Sequence, residues 1–228
     1  MRAQLPQGEQ KARAVRSMFD GIAKRYDLVN RIMTFGLDVR WRKRATRALS
    51  LPHAAVVLDL ACGTGDFCRE LQRAGARPVG FDFSFGMLSV ARTTSPLVQA
   101  DILSLPVADA RAEGVTCGFA LRNVVDLKAL FDEIARILRP GGRIALLEVF
   151  EPRNRIVRWG HRIYFNKVVP FIGGLLSNKQ AYSYLPASVA YLPPGDELLT
   201  MLHAAGFPDA RRIALTGGIA QLLVATRA

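Results

Sequence analysis

Acidic residues lie at the ends of three successive apolar runs of the sequence, and two glycines follow the first run. The acids are Asp59, Asp82 and Asp101, and the glycines are Gly63 and Gly65. Glycine lets the backbone turn sharply and approach a ligand closely, because it has no Cβ atom. Carboxylates accept hydrogen bonds from hydroxyl and amino groups. If the three runs are neighbouring strands, these residues form one site for a small polar ligand.

The charge around the glycine turn indicates which ligand fits. The turn is not a complete G-x-G-x-x-G pattern, since Cys68 occupies the third glycine position and Asp66 directly follows the second glycine. Carboxylates at Asp59 and Asp66 would repel a diphosphate, whereas they attract a ligand with positive charge. S-adenosylmethionine carries an ammonium and a sulfonium group and no phosphate. The pattern therefore favours S-adenosylmethionine as the cofactor.

Each part of this cofactor has a candidate partner in the sequence. Asp82 lies 17 residues after Gly65, where an acid can bond both ribose hydroxyls. Asp101 is a candidate acceptor for the adenine amino group, and Met87 and Ile102 are candidates for the apolar walls. A helix N-cap or a turn explains any single aspartate equally well. Three of them at successive strand ends, after a glycine turn, favour the site.

Short apolar runs alternate with helical spacing through the middle of the chain. The predicted strands are 54–60, 76–83, 97–103, 114–121 and 143–150, and the predicted helices are 66–75, 84–94 and 127–138. Ser84 is a candidate N-cap, and Pro140-Gly141-Gly142 is expected to end the third helix. This alternation predicts an α/β fold with a doubly wound, mostly parallel sheet of the Rossmann-like type. Such sheets bind ligands at the carboxyl ends of their strands.

The chain is predicted to form a single domain, residues 1–228, around that sheet. The predicted parts are an N-terminal helical cap (1–50), a cofactor-binding core (54–150), a helical lid insert (151–190) and a last helix with a strand pair (195–228). The insert is aromatic and basic. An insert late in such a sheet is placed to cover the ligand crevice, which is why we interpret it as a lid.

The segment GFALRNVVD (118–126) places Arg122 and Asn123 at the end of a predicted core strand. Burying a guanidinium without a partner is costly. We interpret this position as the edge of the ligand crevice, where Arg122 needs no permanent carboxylate and meets a substrate oxygen. Glu148, at the end of the fifth predicted strand, is expected to be a structural partner of Arg122 or of the N-terminal helices.

The formal charge of the 228-residue chain is +12, and it is unevenly distributed. Residues 1–50 hold 12 Lys and Arg against 4 Asp and Glu, and residues 151–180 hold 6 against 1. Basic surfaces favour nucleic acid or an anionic membrane, although solvated helix faces explain them equally well. No apolar run reaches the roughly 18 residues of a membrane span. The three cysteines lack metal-binding spacing, so no metal site and a reducing, cytoplasmic location are expected.

Longer segments resemble one enzyme family along almost the whole chain. They are MFDGIAKRYDLVNRIMTFGLDVRWRKRA (18–45), LDLACGTGD, GFALRNVVD, LRPGGRIALLEVFEP, VVPFIGG, AYSYLPASV, AGF and LTGGI. On these motifs the sequence resembles the C-methyltransferases of ubiquinone and menaquinone biosynthesis. The glycine motif alone would indicate only a methyltransferase. The N-terminal, Leu-Arg-Asn and Tyr-x-Tyr-Leu motifs are much more specific.

This resemblance implies methyl transfer from S-adenosylmethionine to a ring carbon of a polyprenyl quinol. The implied cofactor contacts are Thr64, Asp82, Asp101 and Ile102, and the residues implied nearest the reaction are Tyr26, Arg122 and Asn123. Demethylmenaquinol is the expected acceptor. The alternatives are the benzoquinol of ubiquinone biosynthesis and another small molecule.

The sequence departs from the family pattern at three places. The stretch from Met87 to Asp101 is shorter than usual, Gly118 stands where serine is frequent, and residues 221–223 (Gln-Leu-Leu) stand where a histidine is usual. If that histidine has a role in the family, this protein does without it.

Methyl transfer to carbon requires an electron-rich carbon in line with the methyl group, at about 3–3.5 Å. Arg122 would stabilise a quinol oxyanion, and Asn123 would orient a ring oxygen or a water. Tyr26 would bond the other ring oxygen, since direct base action would need a lowered pKa. Asp27 and His161 are weaker candidates for accepting the ring proton.

Two other functions are disfavoured by the same residues. A methyltransferase acting on RNA would carry a recognition module or an Asn/Asp-Pro-Pro-aromatic motif, and neither is present, so no nucleic-acid partner is expected. A non-catalytic binding subunit would not need Tyr26 or the Arg122-Asn123 pair.

The insoluble prenyl tail of the substrate predicts peripheral contact with an anionic membrane at the inner face of the cell membrane. The aromatic residues expected to line the tail groove or the membrane contact, or else to form the lid core, are Trp41, Trp159, Tyr164, Phe165 and Phe171. A homodimer is a further expectation.

Overall fold

One sheet forms the centre of the fold. The computed structural model describes residues 8–152, 154–176, 184 and 188–228. Its strands are β1 (Val56–Leu60), β2 (Arg77–Asp82), β3 (Leu97–Gln99), β4 (Ala112–Gly118), β5 (Leu138–Val149), β6 (Arg211–Leu215) and β7 (Ala220–Thr226). They lie in the order β3-β2-β1-β4-β5-β7-β6, and β7 runs antiparallel between β5 and β6. The predicted doubly wound, mostly parallel sheet is confirmed.

Helices surround the sheet. They are α1 (Gly8–Met33), α2 (Leu37–Leu49), α3 (Asp66–Arg73), α4 (Phe85–Ser89), α5 (Leu127–Ile137), α6 (Arg155–Ile163), α7 (Val169–Leu176) and α8 (Gly195–Ala204). The predicted cap of α4 is confirmed, because Ser84 Oγ accepts a hydrogen bond from the Met87 N–H at 3.1 Å. Asp126 caps α5 in the same way. Each cap contributes about 1 kcal/mol.

The parallel register brings the ends of the central strands to one edge. Leu60, near the end of β1, is level with Phe81 of β2 and Cys117 of β4. The central strands are buried on both faces, which explains their almost continuous apolar sequences. The loops that follow β1, β2 and β4 therefore begin side by side.

Two apolar layers hold the helices on the sheet. On one face, Phe131 and Ile134 of α5 belong to the same cluster as Leu146 of β5. On the other face, Trp41 of α2 belongs to the same cluster as Leu147. Successive strand residues point to opposite faces, and burying each large side chain stabilises the fold by about 1.5–3 kcal/mol. The sheet is thus a rigid platform for the loops at its edge.

Several boundaries differ from the sequence prediction. The helix before β5 ends at Ile137, and residues 140–142 lie inside β5. The pairing of β5 with β4 is irregular there, because Leu138 is already paired with Ala112. The strand before Arg122 ends at Gly118, since Phe119 adopts a left-handed conformation with φ of 61°. Arg122 consequently lies on a short 3-10 helix, Leu121–Asn123, and not on a strand.

The segment from α6 to α7 is continuously helical and packs on α1. A π-helical turn, Tyr164–Val168, joins the two helices, and the Tyr164 hydroxyl donates to the Met33 carbonyl at 2.7 Å. Other parts of the predicted lid, at 153, 177–183 and 185–187, lie outside the described residues, as does most of the AYSYLPASV motif. Within the described ranges, no helix is both long enough and apolar enough to cross a membrane.

Candidate active site

Two cavities lie side by side at the carboxyl edge of the sheet, and they share three aromatic side chains. The first cavity lies at the ends of β2 and β4 and is covered by α1. The second, of about 400 Å³, is enclosed by α1, α2 and the α6–α7 segment. Phe19, Tyr26 and Phe119 line both cavities. These rings form the partition across which two ligands would meet.

Five of the residues predicted to hold the cofactor lie in the wall of the first cavity. They are Gly63, Asp82, Met87, Asp101 and Ile102. The parallel register explains this grouping, since the loops after β1, β2 and β3 all begin at the same edge.

Asp82 is the most constrained acid of the first cavity. It is buried at the end of β2, and its two oxygens accept hydrogen bonds from the Gly63 and Ser84 N–H groups, each at 2.8 Å. Burial raises the pKa of Asp82 to about 6, so the group is mostly ionised at pH 7. Each carboxylate oxygen retains a second lone pair that can accept from a ligand hydroxyl.

Asp59, which was predicted to contact the cofactor, does not line the first cavity. Its side chain is fully buried within the sheet, where it accepts from Thr116 Oγ1 at 2.8 Å and from Cys68 Sγ at 3.4 Å. Burial raises the pKa of Asp59 to about 7, so it is protonated about half of the time at neutral pH. Asp59 therefore supports β1 and β4 from within.

Thr64 and Gly65 also lie outside the cavity wall. Thr64 is buried beneath α1 and donates to Asp27 Oδ1 at 2.5 Å. Gly65 has φ of 82°, and an added Cβ would lie 2.7 Å from Thr93 Cγ2, so only glycine fits there. These two residues shape the turn that presents Gly63.

The carboxylate of Asp66 is compensated by arginines. It forms ion pairs with Arg31, Arg42 and Arg69 in a small surface cleft separate from the first cavity. We expected from the sequence that Asp66 would repel a diphosphate. Because these arginines compensate its charge, that repulsion is weak. The acids that face the first cavity are Asp82 and Asp101.

Helix α1 is held over the first cavity by residues that the sequence analysis did not single out. Asp20 accepts from Ser84 Oγ at 2.5 Å and from the Gly86 N–H at 2.9 Å. Lys11 donates to the Val124 carbonyl at 2.8 Å and lies 3.9 Å from the centre of the Tyr191 ring. Burial lowers the pKa of Lys11 to about 8. The only feature of the sequence that points to Asp20 is its place in the Phe-Asp pair of the N-terminal motif (18–45).

Phe119 is held in an unusual backbone conformation at the partition. Its φ of 61° is rare for a residue with a large side chain, and such strain often occurs at functional sites. Its N–H donates to the Leu147 carbonyl at 2.6 Å, and its ring lies 5.5 Å from the guanidinium of Arg42. This conformation is not predictable from the residue type, since phenylalanine next to a strand usually indicates a core position.

Arg122 has a permanent carboxylate partner, contrary to the expectation that a substrate oxygen alone would meet it. Its guanidinium forms a buried ion pair with Glu148, and its Nε donates to Ser188 Oγ at 3.1 Å. Glu148 also accepts from the Arg122 N–H at 3.2 Å. The expected pairing of Glu148 with Arg122 is confirmed. Arg122 nevertheless lines the second cavity, so its orientation towards that space is fixed by Glu148 and Ser188.

Tyr26 lies on the partition between the two cavities. Burial raises the pKa of Tyr26 above its ordinary value, and this effect exceeds the opposing effects of a hydrogen bond with Asn30 and of the charges on Arg122 and Arg42. The lowered pKa that base action would require is therefore absent. Asn123 lines the first cavity, and the Tyr184 hydroxyl donates to its Oδ1 at 3.4 Å.

His161, one of the two candidates for accepting the ring proton, lines the second cavity. It is half-buried, and its ring centre lies 4.8 Å from that of Phe165. Burial lowers the pKa of His161, against a smaller opposing effect of Glu151. The imidazole is thus neutral at pH 7 and can accept a proton. Asp27 lies outside both cavity walls.

The aromatic residues of the predicted tail groove divide into two groups. Trp41, Tyr164 and Phe165 line the second cavity, and the Trp41 Nε1 donates to Thr216 Oγ1 at 2.8 Å. Trp159 and Phe171 lie on the surface.

Gln221 stands in the segment where the family usually has a histidine. It is buried in β7 opposite Glu148, and neither its Nε2 nor its Oε1 has a hydrogen-bond partner among the described residues. It lies outside the walls of both cavities.

The profile of the ubiE/COQ5 methyltransferase family matches residues 6–227. The chain belongs to the ubiE/COQ5 methyltransferase family. It is 42% identical over 218 residues to the "Ubiquinone/menaquinone biosynthesis C-methyltransferase UbiE" of Syntrophotalea carbinolica, covering 91% of each chain. It is also 42% identical over 220 residues to the "Demethylmenaquinone methyltransferase" of Thermus thermophilus, covering 92% of this chain and 100% of the relative. The resemblance found in the motifs is confirmed.

The fold is shared with more distant methyltransferases. A SAM-dependent methyltransferase of Thermotoga maritima superposes with a TM-score of 0.66 at 16% sequence identity, over 93% of this chain and 99% of that one. As a member of the ubiE/COQ5 family, the protein is a methyltransferase that uses S-adenosylmethionine.

The first cavity of this ubiE/COQ5 family member fits that cofactor. A buried, ionised carboxylate at the end of β2 matches a ribose diol, and a carboxylate after β3 matches an exocyclic amine. Apolar side chains, including Met87 and Ile102, lie beside these acids and match a purine ring. Helix α1 contributes Ala12, Val15, Phe19 and Tyr26 to this wall, and of these four only Tyr26 was singled out from the sequence.

Proposed function

We propose that the protein methylates a ring carbon of a polyprenyl quinol, and that demethylmenaquinol is its acceptor in menaquinone biosynthesis. The names of its relatives support this class of substrate. One structural observation carries the proposal: a cavity suited to the cofactor and a larger, mostly apolar cavity meet at Phe19, Tyr26 and Phe119. Two bound ligands would face each other across these rings.

The cofactor would be held by residues of the first cavity and would supply an electrophilic methyl group. Asp82 would accept from both ribose hydroxyls, and Asp101 would accept from the adenine amine. Met87 and Ile102 would contact the two faces of the purine. Gly63 presents its backbone to the ligand without a side chain.

The quinol ring would lie in the second cavity beside the partition. Arg122 would stabilise the oxygen that becomes negative when the quinol is ionised, because its guanidinium is fixed in the cavity wall and stays charged. The raised pKa of Tyr26 keeps its hydroxyl protonated, so Tyr26 would donate to the other ring oxygen. Asn123, on the cofactor side, would fix the approach of the ring.

The reaction forms a bond between the ring carbon and the methyl carbon, breaks the methyl–sulfur bond and releases the ring proton. The neutral imidazole of His161 would accept that proton, since it lies in the wall of the same cavity. Of the two candidates for this role, we prefer His161 to Asp27, because the Asp27 carboxylate accepts a hydrogen bond from Thr64.

The prenyl tail would extend from the ring towards α6 and α7, among Trp41, Tyr164 and Phe165. Because such a tail stays in a bilayer, the protein would meet its substrate at the inner face of the cell membrane, by peripheral contact with anionic lipid. We also propose that the protein forms a homodimer, which light scattering would detect.

Transfer of a radiolabelled methyl group from S-adenosylmethionine tests the reaction directly. The expected acceptor is a short-chain demethylmenaquinol kept reduced, with less label transferred to a benzoquinol analogue and none to bulk RNA. The oxidised quinone is the matched control, because it lacks the electron-rich carbon and should take no label. Labelling of RNA, or equal labelling of quinol and quinone, would contradict the proposal. A preference for the benzoquinol would transfer the assignment to the ubiquinone pathway.

A further inference from the structure

Exposed apolar side chains are concentrated in two segments of the chain. Among the described residues, eight of the ten large hydrophobic side chains that are exposed lie within 28–35 or 156–171. The most exposed are Ile156 at 81%, Phe35 at 78% and Phe171 at 73%, followed by Trp159 at 70%. Large apolar patches of this kind on a surface usually mark an interaction site.

The two segments form one surface. The rings of Phe35, at the end of α1, and Tyr164, at the end of α6, lie 5.8 Å apart. Ile156, Trp159 and Ile163 are spaced three and four residues apart, so they lie on one side of α6. The opposite stripe of the same helix, including Val157 and His161, lines the second cavity. Helix α6 therefore has one apolar stripe on the cavity and another on the solvent.

Four basic side chains lie beside the apolar stripe on the solvent side. Arg155, Arg158, Arg162 and Lys167 line a shallow surface depression together with Trp159. Residues 154–176 contain no aspartate or glutamate. We refer to α6, its basic side chains and the adjoining Phe35 as the basic apolar face.

The second cavity lies directly behind this face. Phe35 and Val157 are both exposed and both line the cavity. These two residues consequently mark where the cavity approaches the surface. An occupant of the face would lie next to the space assigned to the quinol.

We propose that the basic apolar face docks onto an anionic lipid bilayer, with Ile156, Trp159 and Phe35 at the level of the headgroups and the basic side chains on the phosphates. A helix with an apolar stripe flanked by Lys and Arg binds membrane surfaces in this orientation. The inference deepens the proposed function, because the quinol would then pass from the bilayer into the second cavity between Phe35 and Val157. Docking itself does not depend on methyl transfer.

The charge favours a bilayer over a second copy of the chain. A two-fold dimer through this face would place the same four cations of each copy against one another, with no acid from 154–176 to compensate them. A nucleic acid would pair with the cations, but it would leave Ile156 and Trp159 in water.

The two tryptophans make the docking measurable. Trp41 is 6% exposed and Trp159 is 70% exposed, so a change in emission on adding vesicles reports Trp159. Vesicles of phosphatidylglycerol and phosphatidylcholine are expected to shift the emission to the blue and to carry the protein upward in flotation. Vesicles of phosphatidylcholine alone should do so much less.

Charge and apolarity are tested separately by matched variants. Arg162→Glu and Ile156→Glu are each expected to weaken binding to anionic vesicles roughly tenfold. Arg111→Glu, an exposed arginine just before β4, and Phe85→Glu, 64% exposed on α4, should bind as the wild type does. Thermal melting checks that all four variants are folded.

Several results would overturn the inference. The first is that wild-type protein does not bind anionic vesicles. The second is that the control variants weaken vesicle binding as much as the test variants do. The third is that RNA displaces the vesicles from the protein. Light scattering supplies another: a dimer in the absence of lipid that Ile156→Glu dissociates would assign the face to a second copy. Methylation of a short-chain quinol by Arg162→Glu is measured in parallel. If wild-type protein does not methylate the quinol, the proposed function is rejected, but the result of the vesicle experiment still stands.

Discussion

Arg122 and Asn123 are consecutive in the chain, yet Arg122 lines the second cavity and Asn123 lines the first. They belong to a 3-10 helix, in which successive side chains point about 120° apart. The pair therefore spans the aromatic partition. In the proposed reaction each of the two side chains serves a different ligand.

Removing Arg122 should affect turnover and stability for separate reasons. Arg122→Ala is expected to abolish methyl transfer while the Kd for S-adenosylmethionine stays close to wild type. It should also cost about 3–5 kcal/mol of stability, because it leaves the buried Glu148 without its cation. The double variant Arg122→Met with Glu148→Gln should recover much of the melting temperature without recovering turnover. Recovery of both would make Arg122 purely structural.

Asp82 and Asp59 form a matched pair of buried acids, only one of which lies in the cavity wall. Asp82→Asn is expected to weaken cofactor binding roughly 10- to 100-fold, since it weakens hydrogen bonds to a charged acceptor. Asp59→Asn should change the melting temperature and leave the affinity as it is. Calorimetric titration with S-adenosylmethionine measures both. An unchanged Kd for Asp82→Asn would remove Asp82 from the site.

The acid side of the pH profile should depend on His161. Its pKa is lowered by burial, so the imidazole stays a base below pH 6.5 and loses activity only when it is protonated at lower pH. His161→Gln should lower kcat about 100-fold and remove that acid limb. Exposed His203 on α8 provides the control, as His203→Gln. The measurement requires saturating cofactor, because Asp82 also becomes protonated near pH 6.

Phe119 should matter for geometry more than for affinity. Phe119→Ala removes a ring that both ligands would contact, and misplacement of reacting atoms by about 1 Å can reduce the rate 100-fold. We expect kcat to fall by about that factor, with little change in cofactor Kd. Phe85→Ala on α4 is the exposed control. Equal kcat values for the two variants would rule out a positioning role for Phe119.

Periodicity and motif spacing predicted the sheet and the residues at its edge, because parallel strands deliver their following loops to one place. Asp82 and Asp101 were predicted from their places at strand ends, and both lie in the wall of the first cavity. Asp59 lies inside β1 and away from that wall, and Thr116 of the neighbouring strand accounts for its hydrogen bond.

Contacts between distant segments could not be predicted from the sequence. Glu148 is 26 residues from Arg122, and Asp20 is 64 residues from Ser84, so no local pattern reveals that they meet. The place of His161 depends on which stripe of α6 faces the cavity, and both stripes of that helix are apolar enough to be buried. The left-handed φ of Phe119 depends on the path between β4 and the 3-10 helix, which residue type does not encode.

Helix α1 contributes to both cavities with a single stripe. Ala12, Val15 and Phe19 reach the first cavity, and Tyr26, Asn30 and Met33 reach the second. From Ala12 to Met33 the helix advances about 30 Å at a fixed pitch. The length of α1 therefore sets how far apart the two ligands lie. One residue inserted between Phe19 and Tyr26 would rotate one half of α1 by about 100° relative to the other half, and would turn the stripe away from one ligand.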